Sequence, residues 1–221
     1  MLELIPNIQG LICAFNGEIV TIIKQQNDGI LVESQGSKYQ VAPENLTILQ
    51  HKMNAFVVTW KGRFIFPFRP VPDDYRDIED IAHHLARINR YCGAYDGREC
   101  YSVAQHSVNV SLLLPPEFAL DGLLHDSPEM VLNDLLGPIK SYLPEYKALD
   151  VQHTHCVKAA WDITIPPLIK EADKSVVYYE AKAMKPNIAH LQKLPKFPGT
   201  NLILDPLSPT EAESLFLDYF E

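Results

Sequence analysis

Residues 102–140, SVAQHSVNVSLLLPPEFALDGLLHDSPEMVLNDLLGPIK, constrain this chain more than any other stretch. They are rich in apolar residues at helical spacing, yet they carry His106, the adjacent pair His125-Asp126, Glu129, Asp134 and Lys140. Imidazoles and carboxylates inside apolar helices cost free energy to bury unless they pair or bind a metal. The stretch therefore predicts helices closing around a shared polar site. A divalent metal ion serving phosphate ester hydrolysis is the reading that accounts for all of these residues.

Around that stretch the chain divides in two, 1–52 and 53–221. Residues 10–15, 18–23, 30–33, 38–41 and 46–49 are short β-rich runs separated by Asn16-Gly17, Asn27-Asp28-Gly29 and Gln35-Gly36-Ser37. Asn-Gly is a strong hairpin signal, and turns at this spacing suggest a small barrel of SH3-like type. Residues 1–60 carry three lysines against five acids, a net charge of −2. The barrel is thus read as a surface for packing, oligomerisation or a partner rather than for nucleic acid. Residues 56–60 and 63–66 read as a hairpin across Lys61-Gly62, after which Pro67, Pro70 and Pro72 break any regular element.

From Asp77 the apolar period changes from two to about 3.6. Ile78, Ile81, Ala82, Leu85 and Ile88 mark a helix expected to end near 90–93. Further helices are expected from Ser102, and from Pro115-Pro116 through Leu120, Leu123 and Leu124 to His125-Asp126. Two more cover 144–161 and run from Pro166-Pro167 to about Met184. In the helix over 144–161, Tyr146, Leu149, Cys156, Val157 and Ala160 are candidate core positions. A Pro-rich tail ends in a short helix from Ser208 to about Tyr219. The expected fold is mainly α, a helical bundle preceded by the small β-barrel.

Composition narrows the function classes. With 47% hydrophobic residues in 221, the chain can bury a real core. A net charge of −9 argues against a non-specific nucleic-acid surface, although a local basic pocket for a small phosphate remains compatible. Cys13, Cys92, Cys100 and Cys156 form no C-x-x-C pair, so they read as free thiols in a reducing compartment. No apolar run approaches the roughly 18 residues of a membrane span, and the N-terminus lacks a signal-peptide pattern, so a cytoplasmic protein is expected.

His106, His125, Asp126 and a later helical Asp would give a metal two nitrogens and two oxygens. That set suits Mn, Fe, Co, Ni or Zn better than the all-oxygen preference of Mg or Ca, with the identity, Mg included, left open. Neighbouring residues on a helix point about 100° apart, so His125 and Asp126 can grip one ion only where other helices close around it. Glu129 shares their face if the helix continues past Pro128, and there it would orient or deprotonate the attacking water. Asp134 would protonate a leaving oxygen, and Arg90 and Lys140 supply cations for phosphate. His83-His84 cannot share one helix face and, like His153 and His155, are not read as a second metal site. His51 and His190 are read as surface residues.

The pattern His106, His125-Asp126 and Asp173 resembles the H…HD…D signature of HD-domain metal-dependent phosphohydrolases. HDSPEMVLNDLLGPIK is similar to the HD-x-x-E-x-x-x-x-D-x-x-x-P-x-K segment of bacterial 5'-deoxynucleotidases and their phage-encoded deoxynucleoside triphosphohydrolase relatives. INRY (88–91) and YSVAQHS (101–107) resemble further segments of that group, and the likeness spans about 53–221. It implies His106, His125, Asp126 and Asp173 as metal ligands, Glu129 and Asp134 as catalytic residues, and Arg90 and Lys140 on phosphate. Tyr91, where the deoxynucleotidases have Trp, would contact sugar or base. The implied substrate is a deoxynucleoside mono- or triphosphate, and the implied assembly a homo-oligomer. Alternatives left open are a nucleotide sensor that docks a partner through the barrel, and a phosphodiesterase on cyclic or oligonucleotides.

Overall fold

The computed structural model describes residues 12–15, 18–26, 29–34, 37–42, 47–48, 55–94, 99–184 and 193–221. The N-terminal part is an antiparallel sheet of β1 (Ile12–Phe15), β2 (Glu18–Gln26), β3 (Gly29–Ser34), β4 (Ser37–Val41) and β5 (Thr47–Ile48), in the order β4-β3-β2-β1-β5. The strands fall where the alternating runs predict them, with a register shift in β2 between Ile22 and Lys24. The turn residues 16–17, 27–28 and 35–36 lie outside the described residues, as do His51 and His190. A two-stranded hairpin follows, β6 (Val57–Val58) and β7 (Phe64–Ile65), with Gly62 at φ +79 in its turn.

The remainder is mainly helical: α1 (Ile78–Leu85), α2 (Val103–Leu113), α3 (Ala119–Leu124), α4 (Glu129–Leu132), α5 (Gly137–Lys140), α6 (Pro144–Trp161), α7 (Pro167–Met184) and α8 (Pro209–Phe220). Their ends follow from local chemistry. Asp77 caps α1 by accepting from the amides of Glu79 and Asp80, and Ser102 caps α2 by accepting from Gln105 N. Ser208 and Glu211 close a reciprocal capping box on α8. Proline occupies the first turn of α6 and α8, where its missing N–H is no loss.

Two boundaries depart from expectation. The first helix ends at Leu85, not near 90–93, because the chain turns at 86–88 and then meets the start of α2: Asn89 bridges Ser102, and Arg90 N donates to Tyr101 O at 2.9 Å, before a separate 3-10 turn over Arg90–Gly93. The helix carrying the His-Asp pair also stops early. α3 ends at Leu124, His125 is its C-cap, and α4 begins only at Glu129. Pro128 has no N–H to continue the ladder, so Glu129 does not ride the same helix as His125 and Asp126.

α2 is the centre of the bundle. Residues 103–111 are all buried, and the helix packs against α1, α3, α7 and α8. The principal core combines Ile65, Ile81, Leu85, Val108, Leu123 and Phe216, all fully buried. Buried amides on α2 are satisfied by the C-terminal segment: Gln105 donates to the carbonyls of Ile203 and Asp205, and Asn109 donates to Ile203 O and accepts from its amide. α3 approaches closely at Gly122, where a Cβ would stand 2.4 Å from Leu114 Cδ1 and 3.3 Å from the Ser111 backbone. That approach brings His125 up to His106. Among the described residues no helix is long and apolar enough to cross a membrane.

Candidate metal centre

His106, His125 and Asp126 converge. One ligand atom from each lies within 4.8 Å of the others, near the roughly 4.2 Å maximum between two atoms bound to one ion, so small side-chain shifts suffice. His106 Nε2 stands 3.6 Å from Asp126 Oδ2 and 3.2 Å from Asp173 Oδ1, while His125 Nε2 is 3.1 Å from Asp126 Oδ2. Asp173, on α7, joins the group through His106. The four residues come from α2, the end of α3, the turn after it, and α7, so three packed segments hold the geometry.

The tautomers are set from behind. His125 Nδ1 donates to Gly122 O at 2.7 Å, and His106 Nδ1 donates to Glu180 Oε1 at 2.7 Å. Each ring therefore turns Nε2 inward. Both Nε2 atoms are buried without a well-aligned hydrogen-bond partner. A lone pair on His106 Nε2 facing two carboxylate oxygens needs a proton or a cation between them. Burial and Arg90 push His106 down, but Glu180 and Asp173 outweigh them and bring it up to about 9. Burial pushes Asp126 up, yet His125, His106 and Arg90 hold it well below the usual carboxylate range. Asp173 is lowered too, with His106 and His125 overcoming burial. This donor set, two imidazole nitrogens and two carboxylates with orphaned nitrogens at the focus, fits a divalent cation.

The other expected residues separate into those beside the cluster and one engaged elsewhere. Glu129 lies in the first turn of α4 with Oε2 buried and unpartnered. Burial, then the charges of Asp126 and Asp134, push its carboxyl well above the ordinary range. Asp134 is raised by burial and by Asp126, against the pull of Arg90. Arg90 is 8% exposed, with NH1 3.7 Å from Asp126 Oδ2 and Nε 3.5 Å from Glu180 Oε2. Neither contact is tight, and Nε lacks a hydrogen bond, so the guanidinium is near the site and incompletely engaged. Lys140 is occupied: its Nζ pairs with Asp150 Oδ2 at 2.9 Å and lies over the Tyr146 ring. A cleft of about 520 Å³ opens beside Glu129 and Asp134, lined also by Ile88, Asn89, Cys92 and Asn133.

Glu180 was not legible as a site residue. It is fully buried on α7, touches His106 and the Tyr91 hydroxyl, and stands beside Arg90. Burial pushes it up, but His106 and Arg90 prevail and hold it at about 2. Its one sequence signal is its place seven residues after Asp173, two turns along the same helix face.

No family model matches the chain. It is similar to the uncharacterized protein YfdR of Escherichia coli, 30% identical over 174 residues that cover 75% of this chain and 94% of the relative. It is also 36% identical over 138 residues to the uncharacterized protein RCAP_rcc00048 of Rhodobacter capsulatus, covering 58% of this chain and 70% of that one.

Proposed function

The chain belongs to the family of the Escherichia coli YfdR protein, and from the geometry of its own site we propose that it is a divalent-metal phosphohydrolase of the HD class acting on deoxynucleoside mono- or triphosphates. In this reading 53–221 is the HD-type bundle and the N-terminal sheet a small SH3-like barrel through which a cytoplasmic homo-oligomer or a partner packs. The observation that carries the proposal is the pair of buried, unpartnered Nε2 atoms of His106 and His125 facing Asp126 and Asp173.

His106, His125, Asp126 and Asp173 would hold a divalent ion, which when bound would supply Lewis acidity and lower the pKa of a water on it. The protein's own groups do the rest. Arg90, buried and loosely held, offsets charge on the phosphate as it develops. Glu129, whose carboxyl is pushed well above its ordinary range by burial and then by the charges of Asp126 and Asp134, would take the proton of the attacking water once a cation's charge lies beside it. Asp134, raised above its ordinary range, holds a proton nearer neutral pH and gives it to the leaving oxygen. Tyr91, under the Arg90 guanidinium, would face the sugar or base, and Lys140 would reach phosphate only by leaving Asp150.

The test is incubation of the full chain with a deoxynucleotide panel plus Mn²⁺ or Co²⁺, with products separated by chromatography. Nucleoside plus phosphate identifies a nucleotidase, and nucleoside plus triphosphate a triphosphohydrolase. A ligand-induced rise in melting temperature without turnover replaces the enzyme by a sensor, and turnover confined to cyclic or oligonucleotides replaces it by a phosphodiesterase. The double variant H125A/D126A is expected to lose metal and activity together; intact turnover in metal-free variant protein overturns the assignment.

A further inference from the structure

We propose that Glu180 is a positioning residue whose single carboxylate braces both the metal-facing imidazole of His106 and the turn that carries Arg90 and Tyr91. The inference rests on the metal-site reading above and goes beyond it by joining the metal half of the site to the phosphate half.

The two oxygens of Glu180 are divided between the halves. Oε1 accepts from His106 Nδ1 at 2.7 Å, while Oε2 accepts from the Tyr91 hydroxyl and lies 3.5 Å from Arg90 Nε. The side chain is completely buried, and an ionised carboxylate in such a place is strongly destabilising unless its lone pairs are matched. His106, Tyr91 and Arg90, three of its partners, are residues of the candidate site, and the buried Tyr101 stands beside it as well. The same rigid helix also presents Asp173, so one α7 face delivers a ligand and the brace for another ligand.

The turn needs such a brace. Tyr91 (φ 56, ψ 26) and Cys92 (φ 53, ψ 31) are consecutive non-glycine residues in the left-handed region. Residues held there persist where surrounding contacts over-determine them. The Tyr91 hydroxyl on Glu180 does so together with the Arg90 guanidinium over the Tyr91 ring and the backbone bonds Arg90 N to Tyr101 O and Ala94 N to Tyr91 O. Glutamine at 180 would keep the shape but lose the negative charge: its oxygen would accept from His106 more weakly, and its NH₂ would reverse the bond to the Tyr91 hydroxyl and face Arg90 Nε donor to donor.

Mn²⁺ binding to the full chain, measured by calorimetry, tests this without reference to turnover. E180Q is expected to weaken the Mn²⁺ Kd by roughly 10- to 100-fold, the usual effect of removing a partner behind a metal-bound histidine. Y91F is expected to weaken it by roughly three- to tenfold, since one oriented hydrogen bond to the carboxylate is lost. Adding Y91F to E180Q should change nothing further, because the hydroxyl acts only through the carboxylate. A purely structural Glu180 would lower the melting temperature and leave the Kd of folded protein unmoved. An E180Q chain with native circular dichroism and wild-type Kd overturns the inference, as does a Y91F penalty equally large in both backgrounds. Should E180Q not fold, Y91F, which keeps the buried charge, decides alone: an unchanged Kd there also overturns it. Wild-type protein that binds no Mn²⁺, Co²⁺ or Zn²⁺ is a different result, and removes the metal-site reading itself.

Discussion

Among the described residues two histidines are fully buried, and they are opposites. His153, on α6, has both ring nitrogens engaged, Nδ1 with the Tyr75 hydroxyl and Nε2 with Pro67 O at 2.8 Å. His106, on α2, has Nδ1 satisfied by Glu180 while Nε2 faces Asp126 and Asp173 without a well-aligned bond. Burial lowers the pKa of His153, whereas carboxylates raise that of His106. Depth therefore does not separate a structural histidine from a ligand. What separates them is whether the second nitrogen is spoken for, and by what charge it is faced.

The contrast is tested hardest by exchanging the losses. H106A is expected to abolish tight Mn²⁺ binding and to cut hydrolysis by roughly 10³-fold or more, since several kcal/mol of charge stabilisation go with the ion. It should also lose stability, because the truncation strands the buried Glu180 carboxylate and leaves a cavity. H153A should lose stability alone. It strands the Tyr75 hydroxyl and the Pro67 carbonyl and leaves a cavity, at a cost of about 3 kcal/mol in urea unfolding. Its Mn²⁺ Kd should stay within about twofold of wild type. If H153A instead loses metal while H106A merely unfolds more easily, the two histidines have been assigned the wrong way round.

How legible each site was in the sequence follows the same line. His106, His125 and Asp126 are visible because ionisable residues stand out in apolar helices, whereas Asp173, on a helix already rich in charge, is singled out only by the resemblance to the H…HD…D signature; helices such as α6 and α7 announce themselves through proline at the start and long periodicity. The break between α3 and α4 was not visible, since apolar spacing runs on through it and only the missing amide of Pro128 interrupts the ladder. Glu180 and His153 were hidden for a shared reason. Each lies in a helix rich in charged and polar residues, where a single buried polar side chain looks like a solvated one. Asp121 was hidden too: it faces inward to accept from the Thr164 amide and hydroxyl and from Ile165 N, a tertiary task that no local spacing encodes.

Acid should sharpen the comparison further. His153 has an ordinary value of 6.5 and a lower one when folded, because burial outweighs the Pro67 carbonyl. Protons therefore favour the unfolded chain: this contribution is whole above 6.5 and is lost as pH falls from 6.5 toward the folded value. Urea midpoints measured across that window should fall with pH in wild type and fall less in H153A. An equal slope in both proteins would mean that folding does not shift the titration of His153.

The smallest effect expected is at Lys140, and it compares the two cations of the site. Arg90 is buried and incompletely engaged beside Asp126, whereas Lys140 is part-exposed and already paired with Asp150 at 2.9 Å. A part-exposed ion pair contributes less than about 1 kcal/mol, so K140A should barely move stability. Reaching a phosphate would require Lys140 to give up Asp150, which blunts its gain on binding. The KM for a deoxynucleotide should therefore rise only a few-fold in K140A and far more in R90A. Equal effects would mean that substrate pulls Lys140 away from Asp150. D150A would then lower KM by freeing the lysine in advance, and would leave KM unchanged if the pair stays closed.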